Sequence, residues 1–376
     1  MGAESRAHPP DAVPPLAGYS VAVAADCRRH PVADILGGLG ARVTGVQAIR
    51  SVPQPDERLL RAATERALTA PCDELVISSG GGLRTWLAAA RRWGLAADLI
   101  DRFAGARVLA RDGRAADELR ELGLTVIWST AGASTEELFR YLAAQRPSDR
   151  RIVAQLDRAS LREPAQNLAR TGADLVEVPT YRTLPPSHVG ILRRLVDLVT
   201  RRQVDAVMLL GEPAATHLLA QAAEYGRVDE LLNALCDDVR GACLGPLTAA
   251  HLAARGVRPL LGTGPYVEEL TDALAIALPR FATRLRINGT EVEIRGHAVV
   301  LDGRVVPIQS GPMAVLRALA RSPGRVLSCA EIRRFVPDGS TVDDHAIEMA
   351  VLRLRRSLVG TDLIQTVMRR GYRLAA

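Results

Sequence analysis

Near the carboxyl end of the chain six arginines stand close together: Arg353, Arg355 and Arg356 in one segment, Arg369, Arg370 and Arg373 in the next. Guanidinium groups gathered in this way can read guanine edges in a major groove or clamp backbone phosphates. On a helix over 345–358, Ile347, Val351, Leu354 and Leu358 share one face, Arg353 and Arg356 lie on the other, and Arg355 lies at the flank. A solvated basic face would carry the same residues, so charge alone leaves both readings open. A second kind of chemistry is offered by the loops 78–82, 112–114, 211–214 and 245–248, each of which follows a short run read as a strand. In open α/β sheets ligands sit beyond such strand ends, where the start of the next helix offers backbone N–H groups to an anion.

Composition excludes other chemistries. All 48 basic residues are Arg, so Schiff-base lysine and P-loop lysine mechanisms are ruled out. The five cysteines (Cys27, Cys72, Cys236, Cys243, Cys329) are scattered without a CxxC pair, which argues against a disulfide framework or a zinc site; no metal and no cofactor is expected. With 48% hydrophobic and 24% charged residues and no apolar run approaching the roughly 20 residues of a membrane span, the chain reads as a soluble cytoplasmic protein with no membrane partner. Residues 1–15, acidic and proline-containing, read as a disordered lead-in. The net charge of +6 is local: from Arg284 onward there are 15 Arg against 9 acidic residues, and the remainder holds 33 of each sign.

A length of 376 residues implies two or three domains, and the first 280 residues repeat themselves. Val21-Ala22, Leu36, Gly40-Ala41 and Val46 recur 132 residues later as Val153-Ala154, Leu168, Gly172-Ala173 and Val178. Asp73, Leu87-Ala88, Ala90 and Gly94 recur at the same spacing as Asp205, Leu219-Ala220, Ala222 and Gly226, and Arg107, Leu119 and Gly123 recur at 133 as Arg240, Leu252 and Gly256. Strands are expected at 21–24, 75–77, 107–110, 125–128, 152–155, 206–210 and 241–244, and helices such as 115–122 and 248–254 stop at Gly123 and Gly256. Strand, helix, strand in repetition predicts two α/β lobes with parallel sheets. After a junction near Pro279 the pattern becomes α+β: short strands at 285–287, 291–294, 299–301 and 305–308 with an Asp302-Gly303 turn, helices at 312–320, 329–335 and 345–358, then a hairpin at 364–367 and 372–374.

The last 90 or so residues, 284–376, resemble the winged helix-turn-helix effector domain of OmpR-type response regulators. The motifs that carry this are Leu301-Asp302-Gly303-Arg304-Val305-Val306, Ser322-Pro323-Gly324-Arg325-Val326-Leu327-Ser328, Leu352-Arg353-Leu354-Arg355-Arg356, and Ile364-Gln365-Thr366-Val367 with Arg370-Gly371-Tyr372-Arg373-Leu374. The resemblance implies that 345–358 holds the recognition helix and 368–373 the minor-groove wing, with double-stranded DNA as partner. Ala350 and Ser357 stand where the family often has His and Lys, changes expected to alter the operator sequence. A response regulator would also carry a phosphorylated acidic cluster; Asp26, Asp112 and Asp157 follow different strands and read as loop or cap residues.

The duplicated region, 16–279, resembles uroporphyrinogen-III synthase, which closes hydroxymethylbilane into a macrocycle without a cofactor. Cys243-Leu244-Gly245-Pro246-Leu247-Thr248-Ala249-Ala250, the segment from Gly172-Ala173-Asp174 to Val178-Pro179-Thr180-Tyr181, and Leu75-Val76-Ile77-Ser78-Ser79 carry the likeness. It implies a chain that crosses twice between lobes, near 52–55 and 181–186, giving lobe one as about 16–51 plus 182–279 and lobe two as about 52–181. It also implies a cleft lined by Ser78, Ser79, Gly245 and Thr248, with Tyr181 as the catalytic candidate; the same residues could be a helix cap, a first-turn threonine and an interdomain packing tyrosine. Ala25-Asp26-Cys27-Arg28-Arg29 replaces the family's Thr-Arg-Pro, Leu209-Leu210-Gly211-Glu212-Pro213 puts a carboxylate where an anion would be repelled, and Gly80-Gly81-Gly82 reads as a flexible loop. The expectation is a DNA-binding transcriptional regulator, possible as a homodimer, whose cleft senses a tetrapyrrole precursor or other anionic small molecule. Similar fusions are actinobacterial regulators associated with nitrogen or nitrite assimilation. The alternative is a bifunctional protein with working synthase activity.

Overall fold

The computed structural model describes residues 13–25, 30–53, 56–111, 113–129, 135–145, 148–157, 168, 170–263, 267–287, 289–336, 343–359 and 361–375. The lead-in lies outside them except for 13–15, as do Asp26 and Asp112, and the side chain of Asp157 is likewise outside. Five parallel strands make the first sheet, in the order Leu260–Leu261, Arg240–Cys243, Ala206–Leu209, Ser20–Ala25 and Arg42–Gln47. Ser20–Ala25 has a neighbour on each side and helices over both faces, which explains its unbroken run of small apolar residues: Ala22 and Ala24 enter one core, Val21, Val23 and Ala25 the other.

The second sheet has six strands, in the order Arg50–Pro53, Asp174–Leu184, Arg151–Asp157, Glu74–Ile77, Arg107–Ala110 and Val126–Ser129. Five run parallel; Arg50–Pro53 is antiparallel on the edge, where Pro53 is tolerated opposite Tyr181. Both chain crossings therefore belong to a two-stranded ribbon of the second sheet, which takes in 50–51 and 182–184, residues the sequence reading assigns to lobe one. The crossings themselves reduce to 48–49 and 185–188.

The repeat is visible in the geometry. Asp73 Oδ2 accepts the backbone N–H of Arg151 at 2.7 Å, and Asp205 Oδ2 accepts that of Ser20 at 2.8 Å. The helices Gly80–Arg92 and Glu212–Glu224 follow in equivalent places, as do Ala96–Phe103 and Val228–Asp237. Gly123 (φ +78°) and Gly256 (φ +82°) both adopt the left-handed conformation expected of a helix stop. One register differs from the sequence expectation. Leu75 pairs with Val153 while Val207 pairs with Ala22, so the strand Arg151–Asp157 matches Ser20–Ala25 at a spacing of 131, not 132. A one-residue shift exchanges the two faces of a strand, so Gln155 corresponds to Ala24.

The C-terminal region has an antiparallel sheet of Thr283–Ile287, Thr290–Ile294, Ala298–Leu301 and Arg304–Pro307. Its last turn has Asp302 at φ +44° and Gly303 at +81°, the geometry of a tight two-residue hairpin. Among the described residues three helices follow, Ser310–Ala320, Cys329–Arg333 and Asp344–Ser357, and then the hairpin Ile364–Val367 and Gly371–Leu374. Met313, Leu316, Ile332, Ile347, Val351, Leu354 and Leu374 share one core. The helix Val267–Arg280 runs through Pro279, which puts the junction just after it. No helix among the described residues is long and apolar enough to cross a membrane.

Candidate ligand cleft and nucleic-acid interface

In lobe two the strand Glu74–Ile77 ends in Ser78 and Ser79. Ser79 is extended and caps the helix Gly80–Arg92, its hydroxyl accepting the Gly82 N–H at 3.0 Å. Ser78 is 1% exposed and its hydroxyl donates to Gln155 Oε1 at 3.5 Å, so it faces the interior. Gln155 also accepts the Ser79 N–H at 3.1 Å and donates through Nε2 to Thr180 Oγ1 at 2.6 Å. A Cβ on Gly82 would overlap Gln155 Nε2 and come within 2.7 Å of Thr180 Oγ1. The three glycines are therefore the first turn of a helix, not a flexible loop, and Gly82 is small because a buried amide lies against it. Glu118 packs on Gly80 and pairs with Arg84.

Lobe one builds the same place differently. Glu212, first in its helix, accepts His251 Nε2 at 2.9 Å and the Thr216 hydroxyl at 2.8 Å. The carboxylate noted in the sequence thus has partners and complements the positive helix start. Gly245 (φ +87°) precedes the helix Pro246–Ala253 with no side-chain cap. Thr248 is 2% exposed and its hydroxyl donates back to the Leu244 carbonyl at 2.9 Å. Tyr181 is half-buried in the crossing ribbon, and its hydroxyl makes no hydrogen bond among the described residues. What the strand ends offer an anion is chiefly backbone N–H, with the Ser79 hydroxyl standing at the helix start. Neither Gln155 nor Thr180 is among the cleft residues expected from the sequence, although Thr180 falls in a quoted motif and a Gln inside the run Arg-Ile-Val-Ala-Gln-Leu-Asp is a detectable oddity.

The arginine helix Asp344–Ser357 is capped by Asp343, whose Oδ1 accepts the Ala346 N–H at 2.7 Å. Ile347, Ala350, Val351 and Leu354 are buried, while Arg353 and Arg356 are exposed. Arg355 donates to the Ile364 carbonyl at 3.0 Å and to Thr366 Oγ1 at 2.8 Å, tying the helix to the hairpin. Arg373 pairs across the hairpin with Gln365 at 2.8 Å. Met368, Arg369 and Arg370 form the exposed tip, with Arg369 at φ +61°. All six arginines are exposed; Arg355 and Arg373 are held by hydrogen bonds to the hairpin, while Arg353 and Arg356 lie on the helix and Arg369 and Arg370 at the tip. Among the described residues no group of His, Cys, Asp and Glu is placed to hold a metal ion.

Comparison with known proteins decides the family of the larger part. Residues 31–272, well over half the chain, match the family described as uroporphyrinogen-III synthase HemD. The chain belongs to the uroporphyrinogen-III synthase family. Residues 303–374 match a second family, the C-terminal domain of transcriptional regulatory proteins, so a synthase-family region is fused to an OmpR-type winged helix. A mutant uroporphyrinogen III synthase from Thermus thermophilus superposes with a TM-score of 0.53 at 25% identity, over 68% of this chain and 96% of that one. The wild-type Thermus thermophilus synthase in another crystal form gives 0.44 at 27% identity, over 70% and 98%. The uncharacterized protein YjjA of Bacillus subtilis is 24% identical over 276 residues, 71% of this chain and 97% of its own length.

Proposed function

We propose that the chain is a one-component transcription regulator: the synthase-family lobes take a small polycarboxylate, such as a tetrapyrrole precursor, and the winged helix binds double-stranded DNA. The observation that carries this is the pairing of outward Arg353, Arg356, Arg369 and Arg370 with a cleft whose lobe-one helix start is already occupied by Glu212, His251 and Thr216. An anion is then received by lobe two, at the Ser79-capped helix start. Arg353→Ala or Arg356→Ala should weaken binding to a specific duplex by about 1–3 kcal/mol, and Arg369→Ala should reduce the salt slope of binding by about 1. Absence of duplex binding at low salt would overturn the DNA half of the reading.

One observation favours a second reading, retained synthase activity: the Tyr181 hydroxyl, in the ribbon between lobes, is unbonded among the described residues. Incubation of the full chain with hydroxymethylbilane separates the two. Formation of the III isomer, lost in Tyr181→Phe, supports the enzyme; spontaneous I isomer alone supports the sensor. A homodimer on a two-fold operator suits the winged helix, and sedimentation with and without DNA tests it.

A further inference from the structure

Lobe one and the C-terminal region meet along the strand starts of the first sheet, at the end opposite the ligand loops. Asp205, just ahead of Ala206–Leu209, accepts Ser20 N–H on Oδ2 at 2.8 Å and Arg317 Nη2 on Oδ1 at 2.6 Å. The same Nη2 donates to the Gly296 carbonyl at 2.7 Å, and a Cβ on Gly296 would overlap Asp205 Oδ2. Arg295, 8% exposed, donates to the Ala17 carbonyl at 2.7 Å while Glu293 holds its Nε at 3.0 Å. The His297 N–H donates to the Gly18 carbonyl at 2.7 Å. At the flanks Arg321 pairs with Asp238 at 3.0 Å, and the Arg240 guanidinium lies 3.7 Å from the centre of the Phe281 ring.

We propose that this contact is a permanent latch, so that lobe one and the winged helix move as one body. Three observations support it. The Asp205 side chain is only 12% exposed, with its two oxygens taken by partners on opposite sides of the junction, and removing one partner would leave a largely desolvated charge. Gly296 fits only because it has no side chain, and a Cβ on Gly18 would come within 2.9 Å of Ala298 Cβ, so the two surfaces interlock. The helix Ser310–Ala320 carries Arg317 and packs Met313, Leu316 and Leu319 into one core with Ile347, Val351 and Leu354 of the arginine helix. The direction of Arg353 and Arg356 is thereby fixed to lobe one. Those arginines and the Met368–Arg370 tip stay exposed in the docked arrangement, so docking does not cover the DNA-facing surface.

The latch does not depend on any ligand, and its test needs none. Amide relaxation of the full chain should give lobe one and the winged helix a single rotational correlation time. Arg317→Met, and independently Gly296→Ala, should let the winged helix tumble faster and raise the rate of proteolysis at the 281–282 junction by about tenfold or more. If Arg317→Met fails to fold, the wild-type relaxation and Gly296→Ala decide the matter. Independent tumbling of the winged helix in the wild type would overturn the latch, as would two folded variants that tumble and are cut as the wild type is. Failure of the sensor reading would show instead as unchanged DNA affinity with ligand while the single correlation time persists.

Discussion

Beneath the helix that follows the second repeat strand, lobe two places Gln155, Thr180 and Gly82; lobe one, in the equivalent positions, places Ala24, Ala48 and Ala214, all fully buried. Ser79, which caps the lobe-two helix, corresponds to Gly211, which offers no side chain. At the other end of the same strands the asymmetry reverses. Asp73 and Asp205 each anchor a neighbouring strand start, yet only Asp205 also holds an arginine of the winged helix. One duplicated frame thus carries a polar cluster at the strand ends of lobe two and a docking pole in lobe one. The backbone role of each repeated residue is kept, and the side-chain valence left over is what differs.

The sharpest way to break this comparison is Gly82→Ala. The new Cβ meets the Gln155 amide and should destabilise the chain by about 3 kcal/mol in urea unfolding. Adding Gln155→Ala and Thr180→Ala rebuilds the lobe-one alanine set and should restore most of that loss; no recovery would mean the lobes are not equivalent there. Next in size, Asp205→Asn should cost about 2 kcal/mol and Asp73→Asn about 1 kcal/mol or less, because only the first also strands Arg317. Equal costs would remove the docking role. Ser79→Ala should cost about 1 kcal/mol through loss of the helix cap, and it should weaken ligand binding, whereas Gly211→Ser should leave binding unchanged in calorimetry.

The smallest effect is a pH dependence at the docking pole. Burial, with Arg42 and Arg317 nearby, lowers the His297 pKa to about 4 from 6.5. As pH falls from 6.5 towards 4 the unfolded chain takes up a proton that docked His297 refuses, so its contribution is full above 6.5 and is lost below. Burial pushes Asp205 upward against the pull of Arg317, which acts with the opposite sign. The informative quantity is therefore wild type minus His297→Gln, whose stability difference should shrink on acidification. A difference independent of pH would take His297 out of the interface.

Much of this architecture was legible in the residues. Apolar runs such as Ala-Val-Met-Leu after Asp205 and the Asp302-Gly303 turn mark their elements locally, and the repeat spacing announces the two lobes. Four of the described strands were not legible: Arg42–Gln47, Arg50–Pro53, Asp174–Leu184 and Leu260–Leu261. Arg42–Gln47 is largely unburied and mixes polar with apolar residues, and the first part of Asp174–Leu184 reads as a motif segment while its end reads as a hinge. The one-residue shift between Ser20–Ala25 and Arg151–Asp157 was hidden because Val-Ala occurs in both at the wrong register. Of the expected cleft residues, Ser79 caps a helix and Thr248 bonds back to Leu244 four residues earlier, but the inward turn of Ser78 depends on Gln155, 77 positions away, which only the fold brings near. The docking contact joins residues more than a hundred positions apart, Asp205 and Arg317, and no local pattern marks either.

The central claim, a ligand in the lobes changing how the winged helix holds DNA, is most directly tested by fluorescence anisotropy. The full chain is titrated into a duplex recovered by genomic footprinting, with and without tetrapyrrole precursors. A coupling of about 1–3 kcal/mol, roughly 5–150-fold in affinity, is the predicted result. The same affinity in the presence of every precursor would contradict it.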